Sequence, residues 1–182
     1  MNNKMKVSGF VLAMALILSV EVNAQEIRAL DKSPLDLAVF RPDGRGTTPA
    51  VRIIYSRPMK NGRKMLGDKE PYGKVWRLGA NQTTEINLYR DMTFAGKKLK
   101  AGNYTMYAIP NENSWTIIFN SNLYTWGAFD YDASKNVMTI DVPVKKASKT
   151  REAFGMAFDG QGGNGKLLMA WEEVEVLIPF SY

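Results

Sequence analysis

The residues with the richest chemistry cluster between Tyr55 and Asn81. That stretch carries Arg57, Arg63 and Arg77, the aromatics Tyr72 and Trp76, and Asn81, interleaved with Gly and Pro turns. A guanidinium is a rigid fork of donors that fits carboxylate or phosphate in a bidentate way. Aromatic faces stack on sugars, bases or cations. The pattern predicts a pocket in which Arg57, Arg63 and Arg77 supply charge, Tyr72 and Trp76 form a stacking wall, and Asn81 gives a hydrogen bond. Its ligand would be an anionic small molecule or a glycan. A structural alternative stands beside it: Arg77 and Arg63 pair with Glu85 or Asp68, while Trp76 and Tyr72 fill the core.

Two absences narrow the chemistry further. The chain has 182 residues with no Cys and no His. Thiolate nucleophiles, disulfides, Cys-ligated zinc and iron–sulfur clusters are therefore excluded. So are Ser–His triads and imidazole-bound metals. No cofactor or metal is expected. Catalysis, if present, would be hydrolysis with an Asp or Glu base and Arg side chains stabilising negative charge. Glu85 is the carboxylate nearest the motif on the strand that follows it. Glu172, Glu173 and Glu175 lie in the last strand candidate, where a solvated face is the default.

Two formal motifs carry less. Gly160, Gly162 and Gly165 spell G-x-G-x-x-G, but they lie between strand candidates with no helix following, which predicts a hairpin loop. Asp130, Asp132, Ser134, Asn136 and Asp141 mimic calcium-loop spacing, yet Lys135 occupies the position that needs Gly. A polar turn is the expectation there. Asn81 and Asn103 each open an N-x-T sequon.

The elements that must position these groups are strands. Thr84–Phe94 alternates, with Ile86, Leu88, Met92 and Phe94 on one face and Arg90 as the intruder on it. Val137–Val144, Ala50–Arg57, Asn103–Ile109, Trp115–Asn120 and Ala153–Asp159 are further strand candidates, and Lys166–Phe180 reads as a broken or bent one. Asn61-Gly62 predicts a β-hairpin turn with positive φ at both positions. Lys97, Lys98 and Lys100 suit a solvated turn or sheet edge. Ser33-Pro34 offers a cap for one short helical turn over Leu35–Phe40. The resulting fold class is all-β: a single antiparallel β-sandwich, jelly-roll-like, spanning residues 25–182.

Residues 1–24 read as a helical signal peptide. Lys4 and Lys6 precede an apolar run from Val7 to Val20, and Val22-Asn23-Ala24 resembles a cleavage site. The run is shorter than the roughly 20 residues that span a bilayer. The expected product is periplasmic or secreted, with no transmembrane span after cleavage. Its basic balance, formally +6, favours anionic partners. In that compartment nucleic acid is not an expected partner. No motif bears on oligomeric state.

The runs RPMKNGRKMLG (Arg57–Gly67), PYGKVWRLGANQTTEI (Pro71–Ile86), AGNYTMYAIP (Ala101–Pro110) and WTIIFN (Trp115–Asn120) occur in that order. Together with Ser33-Pro34 and Trp171, they resemble the bacterial domain-of-unknown-function family 2911. The resemblance implies an exported, mostly β protein with no activity to transfer. Leu78 stands where the family commonly shows Thr. The leading expectation is a binding protein for an anionic or sugar-like envelope ligand. The rivals are the small hydrolase above and a structural or protein-interaction module of the envelope.

Overall fold

The computed structural model describes residues 26–182, so the predicted signal peptide lies outside the described residues. The unit from Asp31 to Tyr182 is all-β. Its strands are β1 (Leu35–Phe40), β2 (Val51–Ser56), β3 (Thr84–Leu88), β4 (Met92–Phe94), β5 (Lys97–Leu99), β6 (Gly102–Pro110), β7 (Ser114–Asn120), β8 (Asn136–Gln161) and β9 (Asn164–Ser181). They hydrogen-bond antiparallel in the order β1-β2-β3-β6-β7-β8-β9-β4-β5. No helix among the described residues is long and apolar enough to cross a membrane.

This sheet turns back over itself because β8 serves both halves. Its first part, Asn136–Pro143, pairs with β7, and the remainder, from Val144, pairs with β9. Register slips between Lys146 and Arg151 and again before Gly155 mark the bend. Side chains of the two halves then meet across one core. Phe94 of β4 lies 5.3 Å from Phe119 of β7, and Phe40 of β1 lies 5.1 Å from Phe180 of β9. The sandwich predicted from alternation follows from this folding-over.

The alternation itself records each irregularity. In β9 the buried large side chains are Leu167, Met169 and Trp171, then Val176, Ile178 and Phe180, with the small Ala170 also buried within the first set. The inward parity switches across Glu172–Glu175, where Glu172 adopts φ 52°. An extra residue there is the only way to keep both apolar sets facing the core. Arg90 marks a break without a parity change in the earlier segment: the predicted single strand is two, β3 and β4, separated by Tyr89-Arg90-Asp91. The predicted helical turn at Leu35–Phe40 is corrected to strand β1, paired with β2 over its whole length. Its alternation, with Ala38 and Phe40 buried, fits the sheet edge better than a helix face.

The predicted hairpin at Asn61-Gly62 is corrected to a local turn inside the long connection from β2 to β3, where no two strands flank it. Asn61 and Gly62 both have positive φ, and the Arg63 amide donates to Lys60 O at 2.9 Å. The glycine run forms the β8–β9 hairpin, with Gly160 opposite Gly165 and Gln161 opposite Asn164. Lys97 and Lys98 lie in the edge strand β5.

The Arg57–Thr83 connection covers one end of the core. It inserts Met65, Leu66, Trp76 and Leu78, all buried. The Trp76 indole is 2 % exposed and stacks on Trp171 at 5.6 Å with planes 16° apart. It also meets Trp115 at 5.7 Å and Phe154 at 5.0 Å edge-on. Its Nε1–H donates to Gly79 O at 3.1 Å, which satisfies the one polar atom it buries.

Candidate functional site

The predicted site residues separate into five places. Trp76 belongs to the core, so it offers no face to a ligand. Arg63 closes its own turn, donating to Lys60 O at 2.9 Å and Met59 O at 2.8 Å. Arg57 lies at the seam between the chain after β2 and β8, bonded to Phe154 O at 2.9 Å and Asp36 Oδ2 at 3.2 Å. Tyr72 is half-buried beside the Gly67 turn, and burial raises its phenol pKa. Neither Arg63 nor Arg77 has a carboxylate within salt-bridge distance among the described residues, so the predicted pairs with Asp68 and Glu85 do not form.

Arg77 and Asn81 instead meet a loop that sequence reading passed over. The Arg77 guanidinium sits over the Trp126 ring at 5.4 Å, and its Nη1 donates to Asn81 O at 3.2 Å. Trp126 and Phe129 are nearly parallel, 5.7 Å and 11° apart, and they are 53 % and 78 % exposed. Tyr124, in the same loop, is also exposed. The Asn81 backbone takes φ 58° and its carbonyl also accepts from the Gly127 amide at 3.1 Å. Its side chain, after the Ser33 amide, holds the Asp31 carboxyl below its ordinary range.

The aromatic ledge is held from beneath. Thr83 donates through Oγ1 to Gly127 O at 2.6 Å and through its amide to Thr125 O at 3.1 Å. Thr125 Oγ1 lies 2.8 Å from Thr83 Oγ1 and 3.1 Å from the Tyr107 hydroxyl. The fully buried Asn120 fastens the start of the loop, donating to Asp132 O at 2.9 Å and Asn136 Oδ1 at 2.8 Å and accepting from the Asn122 amide at 2.8 Å. Gly127 has φ +71°, and a Cβ there would fall 2.8 Å from the Phe129 ring. Glycine is thus required for Phe129 to fold back onto Trp126. Exposed aromatics on a loop so thoroughly hydrogen-bonded lose little further freedom when a ligand lands on them.

The carboxylates are distributed differently from expectation. Glu85 projects from β3 on the face opposite the buried Thr84 and Ile86, which removes it from any shared cavity with Trp76. Glu172 is half-buried and accepts from the Met65 and Leu66 amides, both at 2.9 Å, and Glu175 pairs with Arg151 at 3.2 Å. The solvated face expected for this run is therefore partly a set of loop and strand anchors. Glu70 is the desolvated carboxyl: burial pushes its pKa up to about 7, and the Arg77 charge opposes that rise. In the calcium-like stretch, Asp132 caps the short 3₁₀ turn Ala133–Lys135 through the Ser134 amide, and Asp141 bonds Thr116.

The overlooked signal was the segment Tyr124-Thr125-Trp126-Gly127-Ala128-Phe129 itself. Large aromatics around a glycine, in a long connection between strands and without the alternation of either, mark a built loop rather than a strand.

A family model described as "Protein of unknown function (DUF2911)" matches residues 43–180. No curated protein and no solved structure matches the chain.

Proposed function

This chain belongs to the DUF2911 family, and we propose that it acts as an exported binding protein for acidic sugars or glycans, held on the ledge of Arg77, Trp126 and Phe129. One observation carries the proposal: two parallel exposed aromatic rings lie beside a guanidinium that has no carboxylate partner among the described residues. The flat ring faces suit the C–H face of a pyranose. The spare N–H groups of Arg77 suit a carboxylate on the same sugar. The basic balance of the chain works in the same direction. Relative to the predicted pocket, Arg77 keeps its role and the stacking wall passes from Trp76 and Tyr72 to Trp126 and Phe129.

The test is a titration with uronic-acid oligosaccharides and acidic peptidoglycan fragments, read by tryptophan fluorescence. Of four tryptophans, Trp76, Trp115 and Trp171 are buried, so a ligand-dependent change reports Trp126. Saturable quenching that disappears in Trp126→Ala and Arg77→Ala is the expected result. A flat response to every acidic glycan, or undiminished binding in Trp126→Ala, would sink the proposal.

A further inference from the structure

We propose that the seam between Arg57 and β8 is a second binding site, for a small oxyanion bearing a carboxylate or phosphate, separate from the aromatic ledge. A cavity of about 440 Å³ opens there, within the range of small-ligand sites. It exists because the sheet closes imperfectly. Backbone bonds join the two sides at Lys60 N to Glu152 O, 2.9 Å, and Phe154 N to Pro58 O, 3.0 Å. Beyond these, side chains replace the ladder: Arg57 Nε donates to Phe154 O, and the Met156 amide donates to the Tyr55 hydroxyl at 2.8 Å.

The hydrogen-bond inventory of this cavity is one-sided. Its acceptors are mostly occupied, Glu152 Oε2 excepted. Asp36 receives the Leu37 amide at 2.8 Å on Oδ1, and Tyr55 and Arg57 on Oδ2. Glu152 receives the Asn61 amide at 2.6 Å on Oε1. Its donors are in surplus. Arg57 has hydrogen bonds through Nε and Nη1, leaving Nη2 spare. That nitrogen lies 3.3 Å from where a Cβ on Gly155 would stand, so the glycine makes room for it. Arg151 reaches Glu175 through Nη2 alone, leaving Nη1 spare. Exposed Lys149 has no carboxylate within salt-bridge distance among the described residues.

An oxyanion supplies several acceptors at once to donors, such as Arg57 Nη2 and the Lys149 ammonium, that have none of their own. Two guanidiniums and an ammonium around one opening suit that charge, whereas a cation or a neutral apolar molecule would leave the donors unmet.

The experiment is thermal unfolding of the protein titrated separately with inorganic phosphate and with succinate, each against sodium chloride at matched ionic strength. At about a hundred times Kd a single site should raise Tm by about 5 °C or more. A response to phosphate alone, to succinate alone, or to both supports the site and tells which oxyanion it prefers. Lys149→Met and Arg151→Gln should each weaken apparent affinity about tenfold, while Trp126→Ala on the ledge leaves it unchanged. Should Arg151→Gln not fold, the exposed Lys149→Met still decides. Shifts equal to those in chloride, or a Lys149→Met titration superimposable on the parent, would overturn the site and leave the glycan proposal untouched.

Discussion

Trp76 and Arg77 are neighbours in the chain, yet their side chains serve opposite sides of the protein surface. The Trp76 ring stacks on Trp171 inside the core, and the Arg77 guanidinium lies over Trp126 outside it. This reversal at one peptide bond separates what stabilises the fold from what is available to bind.

Stability and binding should therefore separate between the two tryptophans. Trp76→Ala empties the centre of a four-ring cluster and is expected to cost about 3–5 kcal/mol in denaturant unfolding. Trp126→Ala removes a half-exposed ring and one cation–π contact, a change of about 1 kcal/mol or less. The same variant should lose acidic-glycan binding.

Glu70 gives the ledge a pH dependence. Its pKa in the folded protein is about 7, above that of an unfolded glutamate, so folding holds a proton that the unfolded chain releases. Stability on this account falls as pH rises from about 4.3 through 7 and is then fully diminished. Glu70→Gln should be more stable than the parent at pH 8 by about 1–2 kcal/mol, allowing for its partial exposure, and equal to it at pH 4. Ionised Glu70 also offsets the Arg77 charge. Acidic-glycan affinity should drop about threefold from pH 6 to pH 8 in the parent and stay level in Glu70→Gln.

Asn120 tests whether the ledge is pre-built. Asn120→Ala leaves the Asn122 amide, Asp132 carbonyl and Asn136 amide oxygen without their partner, at an expected cost of about 3 kcal/mol. Hydrogen exchange should accelerate across residues 121–131 while β3 and β6 keep their protection.

The seam is tested by Tyr55→Phe. This change removes the hydroxyl that accepts from Met156 N and donates to Asp36 Oδ2, leaving the buried amide unpaired at an expected cost of about 1–3 kcal/mol. Faster exchange at Met156 with unchanged exchange at Ile86 is the expected pattern. Burial raises the Tyr55 pKa to about 12, so the hydroxyl remains protonated and stability from this group declines only as pH rises through about 10 to 12.

By itself the sequence determined most of the strands and their inward faces, because alternation rests on local physics, while β1 read as a helical turn and β3 with β4 as one strand. Period-two alternation decides which side chains meet the core, and Asn61-Gly62 or Gly162-Gly163 decides where the chain reverses. Even the irregularities were written there, as Arg90 on an apolar face and the parity change across Glu172–Glu175. The lack of Cys and His bounded the chemistry in the same direct way.

Only the tertiary structure decided which of the reactive residues share a surface. Arg57, Arg63 and Arg77 are close in sequence, but the long connection carries them to a seam, a turn and a ledge, since it must plug the core end with Trp76 on the way. Trp126, with Phe129 stacked on it, reaches Arg77 because Thr83 donates to, and Asn81 O accepts from, a loop far along the chain. Such contacts depend on strand order and on where β8 bends, and neither leaves a periodic trace in the residues involved.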